Sequence, residues 1–174
     1  MSYGGIGYII GHELTHALDD QGRKYDENGN VKSWWTNDDI ERFHARTERL
    51  VLQYNKCQVL NAFVNGRLTL GENIADLGGL EIAYQAFLRT KQANDEKLID
   101  GFTSKQRFFL AAARVWRMKV TDEKILADLK QEPHAPAKYR VNAPLSNMFG
   151  FYETFNVKKG DGMYRDERDR VRIW

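Results

Sequence analysis

The chain has 174 residues, of which 42% are hydrophobic and 12% aromatic, enough to bury the core of one domain and to exclude a disordered polypeptide. Its 26 basic and 24 acidic residues are interspersed and leave a net charge of +2, so the composition predicts neither a nucleic-acid nor an anionic-membrane partner. No apolar run approaches the roughly 18 residues of a membrane-spanning helix, and the single cysteine, Cys57, excludes an internal disulfide and a cysteine-based zinc site.

The first predicted element is an apolar helix from Ser2 to about Asp19, which contains His12-Glu13-Leu14-Thr15-His16. Residues four apart lie on one face of a helix, so His12 and His16 can bind one metal ion. Glu13 lies about 100° around the helix and can reach a water molecule beside the metal. The alternative is a chance occurrence, for which this composition gives a probability of roughly one in two hundred.

A second helix is predicted to begin after Thr36, an N-cap residue with Asp39 three positions later, and to run to about Tyr54. The two tryptophans before it, at positions 34 and 35, are expected to pack rather than to take part in chemistry. His44 lies among charged residues on this helix and is expected to be solvated.

A catalytic zinc ion usually has three protein ligands, so one is expected outside the first helix. A metzincin would continue with glycine at position 19 and histidine at position 22, but the chain has Asp19 and Gly22, which excludes that group. Glu72 and Asp76 are four apart on a helix predicted to run to about Lys91. Glu72 can be a carboxylate ligand, and Asp76 can accept the second ring N–H of a ligand histidine. The alternative for Glu72 is a solvated carboxylate at a helix start.

The pair Gly78-Gly79 lies within this third helix, where it costs roughly 2 kcal/mol of helix propensity relative to alanine. Such a cost predicts that another backbone passes close by, and the metal-binding helix is the expected neighbour. The residues before this helix, 60–68, are predicted to be an irregular connector.

Two more core helices are predicted to be capped by Ser104 and Thr121. All three prolines then fall within residues 133–144, where they are predicted to forbid a regular helix and to stiffen a loop. A stiff loop around His134 and Arg140 would present both side chains to a substrate, and the alternative is that both are solvated surface residues. A short helix over residues 146–155 and a charged tail follow.

Taken together, these motifs resemble the catalytic domain of the neprilysin and endothelin-converting-enzyme family of zinc metallopeptidases, in its bacterial branch. The resemblance covers nearly the whole chain, and its motifs occur in the family's order: residues 11–16 with 19–22, 34–36, 71–79, 108–109, 134–136 with 140–142, and Trp174. The 55 residues between His16 and Glu72 fit this family better than the thermolysin-like and aminopeptidase zincins, whose glutamate ligand comes sooner.

The resemblance implies a mainly α-helical fold, α+β with a small β element, of the thermolysin-like gluzincin type, in one domain over residues 1–174. It implies a zinc-dependent metalloendopeptidase that hydrolyses small peptides and binds one Zn²⁺ ion. The implied residues are the ligands His12, His16 and Glu72, the general base Glu13, the outer-shell partner Asp76, the oxyanion donor His134 and the binder of a substrate carbonyl, Arg140.

The chain departs from the family in two places. Residues 170–174 replace a cysteine-containing tail found in mammalian members, which favours a bacterial origin. The amino-terminal region that caps the family's catalytic cavity is not present, so the chain is interpreted as a fragment of a longer peptidase, with that region and a peptide as expected partners. An extracytoplasmic location is expected. The alternatives are a zinc-stabilised, non-catalytic binding or scaffold module and an inactive fragment of a larger peptidase.

Overall fold

The computed structural model describes residues 2–174 and contains seven α-helices within that range. They are α1 Tyr8–Thr15, α2 Asn37–Tyr54, α3 Leu70–Leu88, α4 Ser104–Val115, α5 Asp122–Gln131, α6 Ala137–Leu145 and α7 Phe149–Phe155. Two short antiparallel strands, β1 Gln58–Val59 and β2 Ala62–Phe63, pair with Gln58 opposite Phe63. The predicted mainly helical fold with a small β element is therefore confirmed.

The predicted first helix is present as three consecutive segments. A π-helical turn over Tyr3–Gly7 leads into α1, and a 3₁₀ turn over His16–Leu18 follows it. The backbone becomes extended at Asp19, which ends the helical run where the sequence predicted. His12 therefore lies within α1, and His16 lies in the tighter turn directly after it.

Helices α1 and α3 cross with their backbones in contact, as the glycine pair predicted. A Cβ atom on Gly79 would lie 2.2 Å from the backbone nitrogen of His12, and one on Gly11 would lie 2.5 Å from the carbonyl oxygen of Gly79. Real Cβ atoms do not approach other atoms so closely, so both positions require glycine. This crossing brings the helix that carries His12 against the helix that carries Glu72.

Side-chain caps define the starts of three other helices. Thr36 and Asp39 form the predicted capping box of α2, and Thr121 caps α5 as predicted. The prediction for α4 is wrong by one residue, because Thr103 is the N-cap and pairs with Gln106.

The prediction that the prolines forbid a helix is wrong, because α6 spans Ala137–Leu145. Pro136 is the N-cap, so its missing N–H lies where a helix has no internal acceptor, and Pro144 falls in the last turn, where it removes a single hydrogen bond. Arg140 consequently lies on a helix, whereas His134 remains in the irregular segment before it.

Two smaller predictions also need correction. The connector over residues 60–68 contains a tight hairpin, whose turn includes Leu60 with a φ of 54°. The last predicted helix begins at Phe149 rather than at Ser146, because Ser146 caps the end of α6.

The core consists of two apolar clusters that share α3. One cluster packs α3 against α1, α4 and α7, and the other packs it against α2 and the carboxyl-terminal tail. Trp35 joins the second cluster, with its ring 5.2 Å from that of Phe43, as its expected packing role requires. Trp34 is half exposed, and His44 is exposed as predicted. None of the described helices is both long and apolar enough to cross a bilayer.

Replacing Gly79 by alanine should destabilise the fold, because the new methyl group would overlap the backbone of α1. We expect a loss of about 1–3 kcal/mol or more in the free energy of unfolding, measured by urea denaturation. Gly5→Ala is the matched control: a Cβ there meets nothing within 4 Å, so the variant should be as stable as the parent or more so. Equal stability of the two variants would contradict the close helix crossing.

Candidate metal centre

Three side chains from α1, the following turn and α3 converge at one point. Nε2 of His12 lies 3.0 Å from Nε2 of His16 and 3.2 Å from Oε2 of Glu72, and the distance from His16 Nε2 to Glu72 Oε2 is 3.6 Å. No other group of three or more potential ligands forms such a cluster in the part of the chain that the structure describes. The sequence predicted these three residues as ligands, and the structure brings them together.

The opposite ring nitrogen of each histidine donates a hydrogen bond to a carboxylate. His12 Nδ1 lies 2.9 Å from Asp76, and His16 Nδ1 lies 2.7 Å from Asp19. A carboxylate only accepts, so both rings carry a proton on Nδ1. In the neutral form of each ring, Nε2 is then an acceptor that faces the other histidine and Glu72.

This donor set fits a divalent metal ion. Three unprotonated nitrogen and oxygen atoms at 3.0–3.6 Å repel one another unless a metal ion, or in its absence a proton on His12, lies between them. In a tetrahedral site with zinc bonds of about 2.0–2.2 Å, the ligand atoms lie about 3.3–3.6 Å apart. The observed spacings of 3.0–3.6 Å are close to this range. Oε2 of Glu72 is buried and lacks a hydrogen-bond partner among residues 2–174, as expected of an atom reserved for a metal.

Charges around the cluster keep the carboxylates ionised. Burial opposes protonation of His12, but its contacts with Asp76 and Glu72 raise the pKa of the imidazole to about 9 in the absence of a metal. Burial also disfavours ionised Glu72 and Asp76, yet the interaction with His12 and further positive groups lower the pKa of both carboxyl groups. The site thus offers negative charge to a cation.

Asp76 is fully buried and connects the histidines to α6. Its Oδ1 accepts hydrogen bonds from His12, from the hydroxyl of Tyr8 at 2.7 Å and from Nη2 of Arg140 at 2.8 Å, while Nε of Arg140 donates to Oδ2 at 2.8 Å. The Arg140 guanidinium also stacks 3.7 Å from the centre of the Trp116 ring. Asp76 therefore fixes both the tautomer of His12 and the position of Arg140.

His134 lies on the open side of the cluster. Its Nε2 is 3.1 Å from Oε2 of Glu72, and its Nδ1 is 2.5 Å from Oε1 of Glu132. A cleft of about 550 Å³ with a mainly apolar lining extends from His134 and Arg140 along α5. The two residues predicted to meet a substrate thus border one cleft beside the metal ligands.

Glu13 is the predicted site residue that the structure leaves outside this network. Its side chain is exposed on α1. It forms no hydrogen bond or ion pair with the described residues, so its carboxylate is free to meet a molecule that enters from solvent.

Asp19 and Glu132 are the partners that the sequence did not predict. Asp19 holds His16 and also accepts hydrogen bonds from the backbone N–H groups of Gln21 and Gly22. Asp19 follows His16 by three residues, and this spacing could have predicted their contact. Glu132 precedes His134 by two residues, but in an irregular segment that spacing implies no contact.

Comparison with known proteins agrees with this geometry. The family model "Peptidase family M13" matches residues 1–171. An endothelin-converting enzyme homolog of Locusta migratoria is 51% identical over 166 residues, or 94% of this chain. A neutral endopeptidase of Lactococcus lactis is 40% identical over 99% of it. The zinc metalloprotease Zmp1 of Mycobacterium tuberculosis, solved with an inhibitor, superimposes with a TM-score of 0.92 at 42% identity over 99% of this chain.

All three similar proteins are longer than this chain. It spans 23% of the Locusta protein, 26% of the Lactococcus protein and 27% of the Mycobacterium chain. The similarity therefore concerns the part of these proteins that corresponds to the metal centre and the helices around it.

Replacing Asp76 by asparagine should weaken metal binding, because the amide removes the negative charge that orients His12 and Arg140. We expect zinc affinity to fall about 10–100-fold, measured by competition with a chromogenic chelator. Asp122→Asn, an exposed acid in the first turn of α5, serves as the control and should keep the parent affinity. Circular dichroism would establish that both variants fold, and unchanged affinity in folded Asp76→Asn would contradict the role of this carboxylate.

Proposed function

Because the chain belongs to peptidase family M13, we propose that it is the zinc-binding catalytic part of a metalloendopeptidase that hydrolyses peptide bonds of small peptides. The observation that carries the proposal is the convergence of His12, His16 and Glu72 beside a cleft that His134 and Arg140 border. We also propose that the protein is extracytoplasmic.

In this proposal His12, His16 and Glu72 hold one Zn²⁺ ion. When bound, the ion would supply Lewis-acid chemistry, which lowers the pKa of a bound water molecule toward neutrality and polarises a carbonyl group. The chain contributes the rigid ligand geometry, since Asp76 and Asp19 hold the two imidazoles by their Nδ1 atoms. The glycine contact between α1 and α3 fixes the distance from the histidines to Glu72.

Glu13 is proposed as the general base. Its exposed carboxylate next to a ligand histidine can take a proton from the attacking water and pass it to the nitrogen of the departing amine. The amine then leaves neutral, the carboxylate returns to its ionised form, and the new carboxyl group carries the oxygen from water. The spacing of the two histidines around Glu13 supports this role.

His134 is proposed to stabilise the negative charge that develops on the substrate carbonyl oxygen. Both of its ring nitrogens face carboxylates, Glu132 and Glu72, and in the protonated ring Nε2–H can donate to that oxygen. A donor of this kind typically contributes on the order of 3 kcal/mol to the transition state. Glu132 holds the ring in the required orientation.

Arg140 is proposed to bind a backbone carbonyl of the substrate beyond the scissile bond. Its Nε and Nη2 atoms are held by Asp76, and its Nη1 makes no hydrogen bond to the residues that the structure describes. The remaining N–H groups can therefore serve a ligand in the cleft, and the Asp76 contact restricts the side chain to one orientation.

The rival interpretation is a zinc-stabilised scaffold without chemistry. A structural zinc site normally fills its fourth position with a protein side chain, whereas the described residues supply three ligand groups here. This difference supports catalysis.

Since the chain spans about a quarter of the length of its relatives, peptide selection in the whole protein is proposed to depend on the remaining sequence as well.

Glu13→Gln should retain zinc and lose hydrolysis, because glutamine has nearly the same shape but cannot accept the proton. Zinc content by mass spectrometry should stay at one ion per chain. Cleavage of a short fluorogenic peptide should fall at least about a thousandfold. The assay is run on this chain alone and on the chain joined to the remaining sequence of a related peptidase.

Glu96→Gln, an exposed acid outside the site, is the matched control and should behave like the parent. Chelator-sensitive cleavage by Glu13→Gln at the parent rate would refute the proposed base. If the parent binds zinc but cleaves no peptide, either alone or joined to the remaining sequence of a related peptidase, the scaffold interpretation would be supported instead.

A further inference from the structure

A polar groove that the proposed function does not use lies between the end of α2, α6 and the tail segment around Arg165. Its volume is about 340 Å³, and its lining includes the cations Lys56, Lys138 and Arg165 but no carboxylate. Lys138 and Arg140 are two positions apart on α6, which separates their directions by about 200°. The groove therefore opens on the side of α6 away from Arg140, and Lys138 stands between it and the cleft beside His134 because it lines both.

The three cations of this groove form no close ion pair with the residues that the structure describes, although the charge of Asp169 acts on Arg165. No Asp or Glu oxygen lies within 4.0 Å of their charged nitrogens among residues 2–174. The Nε atom of Arg165 is buried and has no hydrogen-bond partner in that range, although its Nη2 donates to the carbonyl of Asp169. Burial lowers the pKa of the Arg165 guanidinium against the opposing charge of Asp169, and the charge of Arg49 adds to the effect of burial. A buried N–H of a charged group without an acceptor costs free energy that a ligand acceptor would recover.

We propose that this groove binds a small multivalent oxyanion of the phosphate type. A guanidinium matches two oxygens of such an anion, and two lysine ammonium groups add point charges from other directions. The amide of Asn142 on the same wall offers a neutral donor. The small volume of the groove and its three cationic side chains fit a small anion, whereas an extended polyanion would need a longer basic surface.

Cys57 provides a built-in reporter because its half-buried thiol lines the same groove. Burial raises the pKa of this thiol to about 11, and the positive charges of Arg165 and Lys138 act in the opposite direction. An anion bound by those two cations would cancel their effect and cover the sulfur. Since only the thiolate reacts with alkylating reagents, a bound anion should slow alkylation of Cys57.

The test measures alkylation of Cys57 by iodoacetamide at pH 8 while inorganic phosphate is titrated, with sodium chloride at matched ionic strength as the reference. In the parent chain we expect a saturable decrease of about threefold, equivalent to a thiol pKa raised by about half a unit. In the double variant Lys138→Gln/Arg165→Gln the phosphate effect should vanish. The charge-matched control Lys105→Gln/Lys130→Gln changes two exposed lysines elsewhere and should keep it.

Two further measurements distinguish phosphate binding in this groove from phosphate binding elsewhere on the protein. Zinc-loaded and chelator-treated protein should give the same phosphate dependence, because none of the proposed metal ligands lines the groove. Should the double variant fail to fold, single Lys138→Gln and a phosphate titration followed by amide NMR shifts replace it, with changes expected at residues 56–57, 138–142 and 162–165. A phosphate effect that does not saturate, persists in the variant or maps elsewhere would overturn the proposal.

Discussion

The convergence of three potential ligand atoms from two helices at one point is the constraint on which this structure depends. The Nε2 atoms of His12 and His16 and Oε2 of Glu72 are held 3.0–3.6 Å apart by elements that the core fixes independently. The three atoms stay close together because α1 and α3 meet at glycines and cannot slide without losing buried contacts. Such an arrangement is stable when a cation occupies its centre.

The buried carboxylate of Asp76 extends this constraint from the metal ligands to the substrate side. It receives hydrogen bonds from α1 through Tyr8 and His12 and from α6 through Arg140, so the two helices are aligned through one ionised group. A buried charge is costly when unpaired, and here a guanidinium compensates it directly. The orientation of one metal ligand and that of the arginine beside the cleft are therefore coupled.

The sequence was most informative where spacing along one helix determines geometry. His12 with His16 and Glu72 with Asp76 are four apart, so each pair shares a face before any tertiary contact is known, and the Gly78-Gly79 pair located the crossing. It was misleading at α6, because three prolines suggested a loop although Pro136 and Pro144 occupy positions at the helix ends that tolerate them. The contact of Glu132 with His134 arises in irregular backbone, where spacing carries no direction.

X-ray absorption at the zinc edge of the zinc-loaded chain identifies the atoms that bind the metal. The convergence of His12, His16 and Glu72 predicts one zinc ion per chain with two imidazole nitrogens and a carboxylate oxygen at about 2.0–2.2 Å, and loss of one imidazole from the spectrum of His16→Ala. A sulfur ligand at about 2.3 Å, or an unchanged spectrum in that variant, would contradict it.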